Sequence, residues 1–210
     1  MNFRISSIKK IPKKPRCKIT LDNGDFFILT TDIILKYGLS KDSVLNQEEI
    51  NKLQSEQLLI DCKLTGFNYT SYKPRTKKQT EIRLKSKGFE NEQINQTVKF
   101  LEEFDLLDDE KFAKNYVIGI LRKKSVGPNR IRIELLKKGI HKTIIDTVIL
   151  ENYPQNESFD LAMAAAKKKM PQIERKDSIK QKPALINYLK GQGFRWDDIQ
   201  RVVKELLDSR

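Results

Sequence analysis

The chain of 210 residues holds one histidine, one tryptophan and two cysteines. So few soft or titratable groups leave little for catalysis. His141 stands alone, and acid–base work by an imidazole needs an oriented partner within reach. Cys17 and Cys62 lack metal-ligand spacing and suggest no disulfide scaffold, which suits a reducing compartment. There is no nucleophile elbow, no phosphate-binding glycine loop and no Cys/His metal set. No run approaches the ~20 apolar residues that span a bilayer. The opening Met1-Asn2-Phe3-Arg4 lacks the apolar stretch of a secretory signal. The expectation is a cytoplasmic protein that is not an enzyme, needs no cofactor or metal and does not engage a membrane.

Apolar residues are also scarce, at 38% against 33% charged. That is low for one thick core and suits an elongated array whose units each bury a thin apolar layer. Acids are outnumbered, 28 Asp/Glu to 41 Lys/Arg, for a net charge of +13. Residues 1–60 carry 10 Lys/Arg against 7 Asp/Glu, so most of the excess lies further on. Such a balance favours a polyanion as partner, nucleic acid first.

What is present is a repeat. Lys87-Gly88-Phe89, Lys138-Gly139-Ile140 and Gln192-Gly193-Phe194 punctuate the chain at nearly equal intervals. Leu84, Leu135 and Leu189 stand close before the glycines, at matching offsets. Ile94, Ile145 and Ile199 follow at one fixed distance, and Val98, Ile149 and Val203 at another, one helical turn on. A period near 50 with helical spacing marks one supersecondary unit used several times.

Each copy reads as three helices, a, b and c. They are predicted at about 59–72, 76–87 and 91–104; at 109–124, 128–138 and 142–152; and at 158–170, 179–190 and 196–207. The glycine between b and c sits where a helix end wants a left-handed residue. Pro128 suits a first helical turn, and Asn91 and Asp197 are candidate caps for their c helices. The stretches 154–158 and 170–182, polar and proline-bearing, read as loops. Ahead of the repeats, Arg16–Leu21 and Phe26–Thr30 flank Asn23-Gly24, a strong hairpin signal. Ile5 and Ile8 suggest an earlier strand limited by Pro12 and Pro15. Residues 32–37 suggest a short helix closed by Gly38, and 40–44 a turn. Asn46 is a candidate cap for a helix running toward Leu59. The expected domains are 1–58, 59–107, 108–154 and 155–210, in a mainly α chain with a small N-terminal β-hairpin region.

The cations show order. Arg75, Lys77 and Lys78 lie at the a–b junction of the first repeat. Arg122, Lys123, Lys124, Arg130 and Arg132 lie at that of the second, and Lys167, Lys168, Lys169, Lys180 and Lys182 at that of the third. If the units repeat in like orientation, these junctions form a basic stripe, the footprint of a phosphate backbone. Helix dipoles explain cations at the ends of the a helices but not those that open the b helices. No aromatics interleave with the stripe, so base stacking is not indicated there. The acidic run Glu102–Glu110 straddles a helix junction. It reads as favourable charge at a helix start, not as a metal site.

Leu106-Leu107-Asp108-Asp109-Glu110-Lys111-Phe112-Ala113 with Tyr116-Val117, then Gly127-Pro128-Asn129-Arg130, then Glu134-Leu135 with Lys138-Gly139-Ile140, resemble the RecX family of RecA regulators in order and spacing. The resemblance is strong over about 70–150 and looser in the third repeat. Residues 1–60 look like the hairpin-bearing extension of longer members. In the first repeat, Arg75-Thr76 and Gln79-Thr80 depart from the family's usual helix-b start. The resemblance implies three tandem three-helix units in a curved array, binding in the groove of the RecA–DNA filament, and no catalysis. The expected partners are the RecA filament and single- and double-stranded DNA, with the chain a monomer. A stand-alone, sequence-tolerant DNA-binding protein of helix-turn-helix-like repeats is the alternative. Helix c of the first repeat, with Glu92, Glu102 and Glu103 against Lys99, suits a major groove poorly. A bare scaffold has no need for cations at matching places.

Overall fold

The computed structural model describes residues 2–208. The chain divides into two compact units, Met1–Tyr72 with Glu81–Phe104 and Lys73–Thr80 with Asp105–Arg210.

The first unit opens with a four-stranded antiparallel sheet in the order β3-β2-β1-β4, where β1 is Asn2–Lys10, β2 Arg16–Leu21, β3 Phe26–Thr30 and β4 Val44–Asn46. The hairpin lies where Asn23-Gly24 puts it, with Gly24 at φ 90°. The short helix α1 (Thr31–Lys36) follows and closes at Gly38. Strand β4 was not legible as such. It is three residues long, too short to show alternation, and it is placed by pairing Leu45 with Phe3. Ile5, Ile19 and Leu29 point inward from three strands and pack against Ile33 of α1 and Leu53 of α2 (Gln47–Tyr72), all essentially inaccessible. Asn46 caps α2 reciprocally with Glu49: the Glu49 N–H donates to Asn46 Oδ1 (2.9 Å) and the Asn46 N–H to Glu49 Oε2 (2.7 Å).

Helix α2 runs unbroken for 26 residues, through the position where the sequence suggests one domain ending and the next beginning. No proline or glycine interrupts it before Gly66. That glycine is retained for contact, because a Cβ there would stand 2.9 Å from Thr97 Cγ2 and 3.0 Å from Leu101 Cδ1 of α4. The first repeat is completed by α3 (Lys77–Lys85) and α4 (Asn91–Glu103).

The second unit contains the other two repeats. Helices α5 (Asp109–Leu121), α6 (Pro128–Lys137) and α7 (Lys142–Asn152) enclose Ala113, Val117, Ile131, Leu135 and Ile145, none of which is measurably exposed. Helices α8 (Ser158–Ile173), α9 (Ser178–Gly191) and α10 (Trp196–Val203) enclose Ala162, Ala166, Leu185, Leu189 and Ile199. A single turn of 3-10 helix, Gln155–Glu157, precedes α8, and a π-helical turn, Lys204–Asp208, follows α10. The expected loop at 170–182 is shorter than the sequence suggests. Helix α8 carries Pro171 inside it and continues until Ile173 is buried, and α9 begins at Ser178.

The three b–c turns are copies of one another. Gly88, Gly139 and Gly193 have φ of 87°, 83° and 82°. In each, the following N–H (Phe89, Ile140, Phe194) donates back to the carbonyl of the helix-b leucine (Leu84, Leu135, Leu189). The residue two after the glycine, Glu90, His141 or Arg195, is then the N-cap of helix c. This displaces the expected caps Asn91 and Asp197 into the first turn, because the tight turn leaves only one residue between glycine and cap. Replacing Leu135 by alanine should destabilise the chain by about 2–5 kcal/mol, the range for emptying a close-packed leucine site. Denaturant titration measures this, and a change below ~1 kcal/mol would contradict its place in the core.

Candidate nucleic-acid interface

The stripe residues separate into two groups. At the first two junctions, those that open the b helices lie against groups of the same unit, whereas Lys180 and Lys182 at the third are exposed. Thr76 is fully buried and its hydroxyl donates to the carbonyl of Lys138 (2.7 Å). The Lys77 N–H donates to Asp109 Oδ1 (2.9 Å), while Asp108 Oδ1 accepts from the Lys111 N–H (2.8 Å) at the start of α5. The acidic run thus serves helix starts. Arg75 is half-buried. Lys78 is exposed, but its stem lies against Gly139, whose Cβ, if present, would be 2.3 Å from Lys78 Cβ.

Arg130 pairs with Glu134 (Nε–Oε1 3.0 Å) and donates to Gln192 Oε1 (2.8 Å). Glu134 also accepts from the Tyr116 hydroxyl. The Tyr116 hydrogen bond, then Arg130, hold the Glu134 carboxyl below its ordinary range. Burial, then Glu134, raise the Tyr116 phenol. Arg132 pairs with Asp146 (2.6 Å). The cations that open α6, which a helix dipole leaves unexplained, are therefore accounted for by acids of the same unit.

Of the remaining cations, only the first cluster ends an a helix: α8 runs on to Ile173, which leaves Lys167, Lys168 and Lys169 inside it, and Lys180 and Lys182 lie on α9. Arg122, Lys123 and Lys124 follow α5 and are exposed, with no side-chain hydrogen bond or ion pair among the described residues. Lys124 adds only a weaker pull on the Glu134 carboxyl, behind those of Tyr116 and Arg130. Lys167 and Lys168 in α8 are likewise exposed. Lys169 is half-buried, bonded to Gln172 and 5.5 Å from the Tyr188 ring centre. Lys180 pairs with Asp177 at the surface (3.0 Å). Lys182 is exposed beside a shallow cavity lined by Ile186, Trp196 and Ile199.

Sequence reading missed a joint between repeats. The N-cap of helix b, Thr76 or Gly127, stands at the same offset before the helix-b leucine in both copies. It meets the carbonyl of the residue before the b–c glycine of the following repeat. Thr76 reaches Lys138 through its side chain. Gly127 reaches Gln192 through its N–H (2.9 Å), and the Asn129 N–H adds a bond to the Gly193 carbonyl (3.1 Å). A Cβ on Gly127 would stand 2.1 Å from the Gly193 oxygen, and one on Gly193 would stand 2.1 Å from the Arg130 nitrogen. The available signal was the recurrence of small or hydroxyl residues at that offset.

His141 caps α7, its ring nitrogen accepting from the Thr143 N–H (3.4 Å). Among the described residues no three His, Cys, Asp or Glu side chains group as metal ligands, and no helix is long and apolar enough to cross a membrane.

Residues 62–101, 108–149 and 155–203 match the family descriptions "RecX, first three-helix domain", "second three-helix domain" and "third three-helix domain". The chain is 31% identical over 196 residues to the regulatory protein RecX of Clostridium perfringens strain 13, covering 92% of this chain and 91% of the relative. It is 30% identical over 209 residues to that of Clostridium acetobutylicum, covering 98% and 96%. A crystal structure of a regulatory protein RecX superposes over 99% of this chain and 100% of the other, with a TM-score of 0.76 at 24% identity, a likeness of fold.

Proposed function

Because the chain belongs to the RecX family of regulatory proteins, we propose that it binds the RecA–DNA filament and restrains the recombinase in recombination and repair. Binding lowers ATP hydrolysis and strand exchange, and this chain supplies no chemistry of its own. The observation that supports this reading most is the exposed cation group Arg122-Lys123-Lys124 that follows α5, with a second exposed pair, Lys167-Lys168, inside α8 of the next repeat. Exposed cations held on repeats locked by a backbone joint can meet phosphates or acidic patches together, whereas scattered, mobile charges give only weak non-specific attraction. In this reading the protein acts as a monomer in the cytoplasm, on filaments that carry single- or double-stranded DNA.

The test is a titration into RecA assembled on single-stranded DNA with ATP. Sub-stoichiometric protein should lower ATP turnover and strand exchange and shorten filaments, while the protein alone turns over no ATP. Unchanged turnover and filament length at saturating protein would refute the regulator. Salt-sensitive DNA binding in the same experiment would then favour a stand-alone DNA-binding protein.

A further inference from the structure

The average charge of residues 1–60 conceals a segregation. Between Met1 and Leu21 every charged side chain is a lysine or arginine, and no acid occurs in any of the four strands. The sheet sorts these residues onto its faces. Its inner face is the apolar core described above. On the outer face, cross-strand pairing aligns Lys9, Lys18 and Ile28 in one row and Ser7, Thr20 and Phe26 in the next. Phe26 is 57% exposed and Ile28 39%. The Lys18 ammonium sits 3.8 Å from the centre of the Phe26 ring. Lys13 and Lys14, both exposed, follow from the β1–β2 turn.

Two features of this face are unfavourable in the isolated protein. Lys9 stands directly opposite Lys18, and like charges in that relation destabilise a strand pair. Phe26 and Ile28 present apolar surface on β3, an edge strand with no charge of its own to blunt it. Protection of an edge does not explain Lys18, because β2 is an inner strand, paired with β1 on one side and β3 on the other. Arg16 differs from the lysines: it is taken up by Asp61 of α2. Among the described residues no acid does the same for Lys9 or Lys18.

We propose that this outer face is a binding site for single-stranded DNA, with a base stacked on Phe26 and the backbone running over Lys18 and Lys9 toward Lys13 and Lys14. The Lys18 ammonium lies over the Phe26 ring, so one nucleotide engages both groups: the ammonium swings to its phosphate and frees the π-face for its base. Lys9 and Lys18, opposite one another, converge on one phosphate, which turns their mutual repulsion into a shared attraction. A duplex is the poorer ligand because its base faces are hidden in the stack and cannot reach the ring. Asp22 and Asp25, on the β2–β3 turn beyond Phe26, give the face a direction, with its phosphate-binding end away from them. DNA is named rather than RNA on the strength of the regulator reading. The site is independent of RecA, so each can fail without the other.

The experiment measures binding of the full chain alone to a labelled single-stranded oligonucleotide across salt concentrations, with a duplex, an RNA of the same sequence and polyglutamate as competitors. Phe26→Ala should weaken single-strand binding by about 5- to 100-fold with little change of salt slope, the effect of losing one stacked base. Phe26→Trp should keep the affinity and show quenched fluorescence on binding, and Phe26→Leu, which keeps the apolar surface, should bind as poorly as Phe26→Ala. Lys9→Gln with Lys18→Gln should lower the log–log salt slope by about 0.7 for each phosphate left without its cation. Wild-type affinity in Phe26→Ala and Phe26→Leu overturns the stacking site. Equal loss of duplex binding, or displacement by polyglutamate as effective as by the oligonucleotide, overturns a single-strand site. Tighter binding to RNA overturns the choice of DNA. Thermal unfolding of the three Phe26 variants, whose ring is mostly exposed, separates lost binding from lost structure.

Discussion

Gly193→Ala is expected to destabilise the protein by about 3–6 kcal/mol, and Gly88→Ala by about 1–3 kcal/mol. Both residues end a b helix at nearly the same positive φ, 82° and 87°. A side chain held there costs about 1–3 kcal/mol whatever surrounds it. The difference lies in what stands next to them. A Cβ on Gly88 meets nothing within 4 Å, whereas one on Gly193 stands 2.1 Å from the Arg130 nitrogen and 2.8 Å from its Cα. Backbone cannot step aside as a side-chain tip can, so α6 must withdraw from the turn. The bonds from Gly127 to Gln192, from Asn129 to Gly193 and from Arg130 to Gln192 are lost with it. Each contributes about 1 kcal/mol, and more where a buried group is left unpaired.

Gly127→Ala isolates this second contribution. Its φ of −83° suits any residue, so whatever it costs reports close approach alone. Denaturant titration of the three variants, with hydrogen exchange at the Gly127 and Asn129 amides, is the measurement. If Gly193→Ala and Gly88→Ala lose the same stability, the joint holds nothing.

Much of the fold was legible because its signals are local. A b–c turn is made within one short stretch, so leucine, glycine and the following large apolar residue announce it wherever it occurs. Asn23-Gly24 does the same for the hairpin. Most of the misses have non-local causes. Strand β4 exists because Phe3 lies beside Leu45. Helix α2 is continuous because nothing in it stops a helix. The joint links one repeat to the next largely through backbone atoms, which carry no side-chain signature. The candidate site was half legible. Basic clusters are visible in sequence, but whether an arginine is free depends on an acid that folding brings to it. Glu134 lies one helical turn from Arg130 and could have been noticed. Asp146, the partner of Arg132, lies on the next helix. The segregation of charge ahead of Asp22 was open to counting, but a window ending at position 60 averaged it away.

Charge reversal at Arg122, Lys123 and Lys124 together should produce the largest loss of function that leaves the fold intact. The three side chains are exposed, so the change removes no packing. They follow the C-terminal end of α5, where glutamates lose a favourable dipole interaction of about 0.3–1 kcal/mol each, a tolerable sum for a folded domain. Neutralising them with glutamine should lower the salt slope of single-strand binding by about 0.7 per phosphate, so about 2 if all three meet phosphates. Reversal adds repulsion and should move the half-maximal inhibition of RecA ATP hydrolysis to much higher protein concentration. Arg132→Gln is the informative control. That arginine lies in the same stripe by sequence but is committed to Asp146, so its loss should lower the melting temperature slightly and leave slope and inhibition as they were. Were Arg132→Gln to weaken DNA binding and inhibition as much as the triple reversal, the division into committed and free cations would be wrong. The whole basic stripe, helix-b cations included, would then be the better description of the interface.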